Sequence, residues 1–488
     1  MMNFSRRGPV ALAAMALLCC GVTLQARAQS PGPRLLFAPV GAVVGMPVSA
    51  RATNLTPATH FELVWHTGHA GWDVHDGKFF GIRAPDTSHA IGSGTSDASG
   101  TLRLRFTVPE DFGYIHDVEL RAADGAVVAH QGFTVIPHLT VAPVSGPLGT
   151  PITITMTGVG YRFYQAVWHL MYDGAQTGWL SAITTHGTAR VTIPAAGALG
   201  MHTLQALEGP TAPYLNEQQS PNYQPLIPTV LAARFRVVPG PVRIPSDVAA
   251  QSLPRERAAA SAGGGATPAL ASDFRSGVVG SAFTLSGRGF APRTPVTLQW
   301  ETIVGNRISG AGWETQLRPL GRVATNAGGA FSARVVTPDD VGGDHRIVAQ
   351  QVGQTTGEAA TTYTLTPSIK AVAPARVQAG EQITVRLKGV GWTETGNIYT
   401  VVVDNAFFGY GCGFNSRGDV TMRIQAPGAS GWHFVELYPA IYKGQILGPG
   451  LPPQGADVNG SYFLLPMLNV VDHPGERLPA FHLAVLVD

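Results

Sequence analysis

A chain of 488 residues is too long for one hydrophobic core, so several domains are expected. Charged residues make up 13% of it and the formal net charge is +2, which leaves no electrostatic argument for nucleic acid or an anionic membrane surface as the partner. The 59 glycines and 37 prolines, together with many Val, Thr and aromatic residues, favour short strands joined by tight turns.

The chain begins with a pattern that predicts an export signal. A basic start is followed by an apolar run over residues 10–24 and by a small-x-small site, so cleavage is expected between Ala28 and Gln29. The run is too short for a membrane span, and no later apolar segment is long enough for one. We therefore expect a secreted or periplasmic protein. A lipid-anchored form is the alternative, which Leu18 before Cys19 disfavours.

Removal of the signal peptide, residues 1–28, leaves Cys412 as the remaining cysteine. No intramolecular disulfide and no zinc site made of cysteines is then expected. The packed cores of β-sheets have to provide the stability of the mature chain.

Four units of about 100 residues follow, and each predicts a set of short antiparallel strands. In each unit a central strand precedes a polar turn with glycine, an alternating strand that ends at a proline, and a glycine followed by a histidine. We predict domains at residues 29–138, 139–239, 273–367 and 368–488. The stretch 240–272, rich in Ala, Gly, Ser and Pro, predicts a flexible and protease-exposed linker.

A glycine phrase opens three of these units. It runs from Gly149 to Tyr161, from Gly280 to Phe290 and from Gly380 to Trp392, each time as a glycine, an alternating strand and a Gly-x-Gly-aromatic close, and residues 44–48 are a degenerate first copy. With the Asn/Asp-x-x-Gly turn that follows, the phrase resembles bacterial immunoglobulin-like repeats of the IPT/TIG kind over nearly all of the mature chain. The resemblance implies tandem immunoglobulin-like β-sandwich domains and a role in adhesion, scaffolding, or binding of carbohydrate or protein, and it implies no catalytic residues.

The spacing of the landmarks predicts a duplicated pair. Corresponding glycines and prolines recur after about 230 residues. Units 1 and 3 share a long excursion after the central tryptophan, whereas units 2 and 4 carry Pro-rich insertions at 210–228 and 439–466. The predicted arrangement is therefore A-B-A-B.

A histidine-rich segment of unit 1 is the candidate metal site. His66, His69, His75 and Asp76 supply the imidazole and carboxylate groups that divalent ions take as ligands. Against this, His66 and His69 lie on a strand followed by a loop and point to opposite faces unless the loop turns back. The corresponding segment of unit 3 has no histidine, and solvent-facing polar side chains are the alternative interpretation.

The histidine that follows the Pro-Gly landmark recurs in every unit. A side chain kept at one position in four repeats is expected to hold a turn or a strand start by hydrogen bonds to the backbone. The four predicted structural histidines are His116, His202, His345 and His433.

A glycine-rich aromatic stretch of unit 4 is the second candidate site. Its aromatic side chains would stack on a sugar ring if they face solvent, and the alternative is that they pack on the core, with Cys412 as a small buried residue. The candidate ligand-binding residues are Phe407, Phe408, Tyr410 and Phe414. Further along, His473 and Glu476 are candidate ligands, but a Pro-Gly turn explains their segment more simply.

The sequence thus predicts an all-β protein of four tandem immunoglobulin-like β-sandwich domains behind a signal peptide. We expect a non-enzymatic protein for binding, adhesion or scaffolding outside the cytoplasm, with an extracellular protein or a carbohydrate as partner and no nucleic acid. No cofactor is expected unless the histidine-rich segment holds a divalent metal, in which case the protein is a metal-binding factor or a metal-dependent enzyme. A spacer or assembly subunit that adds strands between chains is the further alternative.

Overall fold

The computed structural model describes residues 32–162, 164–209, 230–258, 267–306, 312–353, 357–413, 416–442 and 464–488. These residues form β-strands, with short 3-10 helices at Val248–Gln251 and Val470–Asp472 and no α-helix among them. Within the same ranges no helix is long and apolar enough to cross a membrane. The predicted cleavage site at Ala28 and Gln29 lies outside the described residues, as does Phe414.

Four pairs of sheets follow one another along the chain, and we number these pairs as units 1 to 4. Each unit contains a three-stranded and a five-stranded sheet in the same strand order. In unit 1 the sheets are β1-β3-β8 and β2-β10-β9-β4-β7. Its strands are β1 (Arg34–Ala38), β2 (Gly41–Ala42), β3 (Pro47–Thr53), β4 (His60–Gly68), β5 (Gly71–His75), β6 (Lys78–Arg83), β7 (Asp86–Thr95), β8 (Leu102–Thr107), β9 (Tyr114–Ala122) and β10 (Val127–Val135).

The second unit repeats this order without the extra hairpin that β5 and β6 form in unit 1. Its strands are β11 (His138–Ala142), β12 (Ser145–Gly146), β13 (Pro151–Thr157), β14 (Trp168–Tyr172), β15 (Ala175–Leu180), β16 (Ala189–Pro194), β17 (Gly200–Glu208) and β18 (Val230–Val237).

Unit 3 uses its long excursion to extend one hairpin, β22 with β23. Its strands are β19 (Ala269–Ser272), β20 (Ser276–Gly277), β21 (Ala282–Arg288), β22 (Pro295–Asn306), β23 (Gly312–Ala324), β24 (Phe331–Val336), β25 (Gly343–Gln351) and β26 (Glu358–Leu365). Unit 4 consists of β27 (Ser368–Ala373), β28 (Arg376–Val377), β29 (Gln382–Lys388), β30 (Ile398–Val403), β31 (Ala406–Cys412), β32 (Val420–Gln425), β33 (Gly431–Ala440) and β34 (Phe481–Val487).

The core of each unit lies between its two sheets. Strands such as β3 and β13 alternate between buried and more exposed residues, as a strand with one face on a core must. Trp65, Trp168 and Trp300 stand at the centre of units 1 to 3 with at most 1% of their surface exposed. The fold is therefore that of immunoglobulin-like β-sandwiches, as the sequence predicts.

The units join in pairs where the glycine before the recurrent histidine region of one unit meets the Gly-x-Gly close of the next unit's glycine phrase. Gly113 N donates to Val159 O over 3.1 Å, and Gly342 N donates to Val390 O over 3.1 Å. A Cβ at Gly113 would stand 1.8 Å from Gly158 O, so Gly113 has no room for a side chain at this contact. Because unit 1 docks on unit 2 as unit 3 docks on unit 4, the structure contains the same interface twice.

The predicted linker differs from expectation. Its last residues, Ala269–Ser272, form strand β19 of unit 3 rather than a flexible connection. Earlier in the segment, Arg243 N donates to Leu148 O over 2.9 Å, and Arg275 N of unit 3 donates to Glu256 O over 2.6 Å. Main-chain hydrogen bonds therefore hold its described part, 240–258, against the units on either side.

Units 2 and 4 also contact one another. Trp179 N at the edge strand β15 donates to Pro466 O over 2.8 Å, and Leu468 N donates to Trp179 O over 3.0 Å. Met467 is fully buried in this contact. The described end of the Pro-rich insertion of unit 4 thus covers an edge strand of unit 2, which would otherwise present unpaired backbone groups.

Candidate binding crevice

The predicted metal ligands of unit 1 are held apart. His66 lies on β4 with Nε2 3.0 Å from Glu119 Oε2, and Arg121 contacts the same carboxylate. Burial tends to raise the pKa of Glu119, but the hydrogen bonds from His66 and Arg121 outweigh it and hold that pKa below its usual value. His66 is therefore part of a hydrogen-bonded cluster with Glu119 and Arg121 on the sheet surface.

The other three candidates follow on the loop and the β5–β6 hairpin. His75 Nε2 lies 2.5 Å from Asp73 Oδ1, and Asp76 occupies the tip of the hairpin with φ +52°. His69 is exposed, and its ring centroid is 6.2 Å from that of His186. In the ranges that the structure describes, no three His, Cys, Asp or Glu side chains are arranged to hold a metal ion.

The recurrent histidines have the structural role that their repetition predicts. In unit 1, His116 Nδ1 lies 2.8 Å from His66 O and Nε2 lies 2.8 Å from Phe112 O, with the ring stacked on Trp65 at a centroid distance of 4.4 Å. In unit 3, His345 is placed in the same way between Glu301 O and Val341 O. Each ring nitrogen lies within hydrogen-bond distance of a backbone carbonyl, and donation from either nitrogen ties the start of a strand to its neighbour.

Units 2 and 4 use a variant of the same contact. His202 Nδ1 lies 2.5 Å from Asp173 Oδ2, and His433 Nδ1 lies 2.5 Å from Asp404 Oδ2. In each case Nε2 faces a backbone carbonyl four residues earlier. The alternation between a carbonyl partner and a carboxylate partner follows the A-B-A-B order of the units.

The aromatic stretch of unit 4 lies on β31, at the edge of its sheet. Phe408 and Tyr410 are 55% and 51% exposed, so the interpretation that these two pack on the core is wrong. Phe407 and Cys412 are half-buried.

A polar crevice of about 420 Å³ opens where units 1, 3 and 4 meet the described part of the linker. Glu476 lies in its wall and accepts hydrogen bonds from Thr393 Oγ1 and Thr395 Oγ1, both over 2.9 Å. Across the crevice Asp344 accepts a hydrogen bond from Thr364 Oγ1. The remaining lining residues are Val74, Gly77, Leu253, Pro254, Glu256, Ser276, Thr366, Gly475 and Arg477.

The hairpin of unit 1 is fixed at this crevice by unit 4. Phe79 N donates to Glu394 Oε2 over 2.8 Å, and Glu394 N donates to Gly77 O over 2.7 Å. Gly77 has φ +70°, and a Cβ there would stand 2.9 Å from Thr393 Cγ2. Only glycine fits this turn without displacing the neighbouring unit.

A buried carboxylate fixes the segment that leads into the crevice. Asp472 is fully buried and accepts hydrogen bonds from Ser181 Oγ, from Ile183 N and from both the backbone and the hydroxyl of Thr184. Trp72 of the hairpin donates to Asp472 O over 2.5 Å. Burial raises the pKa of the Asp472 carboxyl, although the bonds from Ser181 and Thr184 oppose the shift. Units 1, 2 and 4 therefore meet at one residue.

The sequence singles out Glu476, which lines the crevice, as a candidate ligand, but it does not predict the crevice or the junction. A further signal is Asp472, a lone acid directly after the apolar pair Val470 and Val471. A carboxylate in such a setting is buried only when several donors surround it. The sequence does not show that those donors come from residues almost 300 positions away.

No family model matches the chain. No curated protein sequence matches it. Among solved structures, Salmonella alpha-2-macroglobulin reacted with methylamine is similar over 92% of this chain at 10% identity with a TM-score of 0.19. This chain spans 30% of the length of that one.

Two further similar structures are an ICAM-5 D1–D4 ectodomain fragment and invasin, a bacterial integrin-binding protein. The first is 12% identical over 84% of this chain and 95% of its own, with a TM-score of 0.17. The second is 12% identical over 83% of this chain and 76% of its own, also with a TM-score of 0.17. TM-scores this low carry no argument about function. The strand order and the sandwich cores define the class: an immunoglobulin-like β-sandwich protein of several units.

Proposed function

We propose that the chain is a non-enzymatic binding protein that acts outside the cytoplasm and takes its ligand in the crevice between units 1, 3 and 4. The observation that carries the proposal is the convergence of three segments that depart from the repeat. The hairpin of unit 1, the described part of the linker and the turn at Gly475–Arg477 of unit 4 all line one crevice. Pockets at the interfaces of rigid domains are preferred places for ligands.

The chemistry of the crevice favours a polar ligand. Hydroxyl groups of threonine and serine alternate with the carboxylates of Glu256, Asp344 and Glu476, and one guanidinium, that of Arg477, stands beside them. Such a lining offers hydrogen-bond donors and acceptors in several directions. We therefore expect the hydroxyl and amide groups of a glycan or of a partner protein as ligand chemistry. Export by the predicted signal and the IPT/TIG character of the units are part of the same proposal.

The proposal is tested by filling the crevice. Thr364 lines it from β26, whereas Thr362 lies two residues away on the same face of that strand and outside the lining. Mature wild-type protein, Thr364→Trp and the matched control Thr362→Trp are applied to a glycan array and a panel of extracellular proteins. We expect one ligand to bind wild type and Thr362→Trp and to be lost with Thr364→Trp. Equal binding by all three would show that the ligand lies elsewhere, and no ligand for wild type would contradict the proposed function.

A further inference from the structure

Tyr114 adopts a backbone conformation that its counterparts leave to glycine. It begins β9 with φ +78°. The residues that begin the corresponding strands of units 2, 3 and 4 are Gly200, Gly343 and Gly431, with φ +137°, +107° and +123°. A residue with a side chain is strained in this region. Strain that the surrounding structure maintains is typical of functional sites.

The docking of neighbouring units does not require this strained residue. The hydrogen bond that joins units 1 and 2 starts at Gly113, directly before Tyr114, and is 3.1 Å long. Its counterpart between units 3 and 4 starts at Gly342, has the same length, and is followed by Gly343. The same interface therefore forms with a glycine at this position, so the tyrosine side chain has to be explained by something else.

Contacts from unit 2 hold the tyrosine ring in place. The ring lies against Gly160, where a Cβ would stand 3.0 Å from the Tyr114 ring. The Tyr114 hydroxyl donates a hydrogen bond to Glu208 Oε1. These contacts fix the ring as one wall of a cleft between the two units.

The cleft has a volume of about 240 Å³ and combines aromatic surface with polar groups of both kinds. Tyr114 and Tyr161 supply the aromatic surface, the carboxylates of Asp86 and Asp117 supply acceptors, and Arg162 and Gln165 supply donors. Drug-sized ligands occupy about 300–1,000 Å³, so this cleft accommodates one ring rather than an extended chain. A ring with a hydrogen-bonding rim and an apolar face matches aromatic surface beside donors and acceptors.

We propose that the cleft between units 1 and 2 binds a single pyranose ring, either a free monosaccharide or the terminal residue of a glycan. The site is separate from the crevice between units 1, 3 and 4, because the two share no lining residue. Tyr114 is the residue on which binding depends. Its side chain forms the wall of the cleft, and the fold has a glycine at this position in each of the other three units.

Tyr114→Gly should relieve backbone strain and at the same time remove one wall of the cleft, so the test measures stability and sugar binding together. Glucose, galactose, mannose and N-acetylglucosamine are titrated into wild type, Tyr114→Gly and the control Ala58→Gly, with ligand-observed NMR as the readout. Ala58 is exposed, has φ +52° and lies outside the cleft, so its glycine variant relieves strain elsewhere. A parallel array of glycans that end in the same sugars distinguishes a glycan terminus from the free monosaccharide.

We expect wild type and Ala58→Gly to bind one of these sugars, with a dissociation constant on the order of 1 mM for so small a ligand. Tyr114→Gly should weaken that binding at least tenfold while its Tm stays equal to or rises above that of wild type. Wild type that binds none of the four sugars, free or as glycan termini, overturns the proposal. Unchanged sugar binding by Tyr114→Gly also overturns the proposal. If wild type binds no sugar and Tyr114→Gly has a lower Tm than wild type, Tyr114 is a structural contact. Thr364→Trp should leave sugar binding unchanged, so failure here and failure of the crevice proposal are distinguishable.

Discussion

Mild acid should destabilise the junction of units 1, 2 and 4 through His473. This histidine is 8% exposed, its Nδ1 lies 3.2 Å from Glu476 O, and its Nε2 is buried without a hydrogen-bond partner. Burial disfavours the charged ring and lowers the pKa of His473 from 6.5 to about 4. Because the folded pKa lies below the unfolded one, the unfolded chain takes up the proton first as pH falls. The stability that neutral His473 contributes is complete above pH 6.5 and is lost as pH falls towards 4.

The size of the effect follows from the shift. The difference between 6.5 and about 4 corresponds to roughly 3 kcal/mol of unfolding free energy, at about 1.4 kcal/mol per pKa unit. Urea unfolding is measured between pH 4 and pH 7 for wild type and His473→Asn, which keeps a donor near the position of Nδ1 but does not titrate. Asp472, whose pKa is raised, is present in both proteins, so its contribution to the pH dependence cancels when the two unfolding free energies are subtracted. Exposed His130 provides the control His130→Asn, for which we expect the wild-type dependence.

We expect the wild-type free energy of unfolding to fall by roughly 3 kcal/mol more than that of His473→Asn between pH 7 and pH 4. Curves that run parallel over this range would refute the account of a neutral, buried ring. If acidification instead stabilised wild type relative to His473→Asn, folding would raise the pKa of His473 rather than lower it.

Two further changes test the contacts between units, and a third tests the exposure of Phe408 on β31. Gly342→Ala places a Cβ 2.0 Å from Gly389 O and should lower the free energy of unfolding by about 1–3 kcal/mol in urea titrations. Gly92→Ala, with nothing within 4 Å of its Cβ, should cost less than about 1 kcal/mol, and equal losses would contradict the docking role of the close approach between Gly342 and Gly389. Asp472→Ala leaves buried donors of unit 2 without an acceptor and should lower the free energy of unfolding by about 3–5 kcal/mol in urea titrations. If the free energy of unfolding stays the same within experimental error, water replaces the carboxylate. Phe408→Ser should leave Tm unchanged within about a degree or two, because the Phe408 side chain is 55% exposed. A large drop in Tm would mean that this side chain packs against the protein.

The fold was predictable because its signals are local. Burial alternates with period two along β13, and a few residues of sequence are enough to show it. Gly149 and Gly158 have positive φ, as the spacing of the glycine phrase requires. Recurrence likewise predicted the role of histidines such as His116, because one position in every repeat has one structural environment. These inferences need no knowledge of how the units are arranged relative to one another.

Of the candidate site, Glu476 was singled out from the sequence, and the rest was not predictable for the opposite reason. The crevice brings Gly77 of the first unit to Thr393 and Glu476 of the fourth, and no local pattern records a contact over more than 300 positions. On β31, Phe408 and Tyr410 share one face by simple alternation, but alternation alone does not say whether that face meets the core or solvent. The answer depends on β31 lying at the edge of its sheet, which the sequence does not show.

The central claim is that the segments outside the repeat form one binding site. Hydrogen–deuterium exchange of the mature chain, with and without the ligand found on the array or panel, tests it most directly. The account predicts that residues 74–79, 253–256 and 475–477 gain protection together when the ligand binds, because all three line the crevice. Protection confined to other parts of the chain, such as β31, with these three segments unchanged, would contradict it.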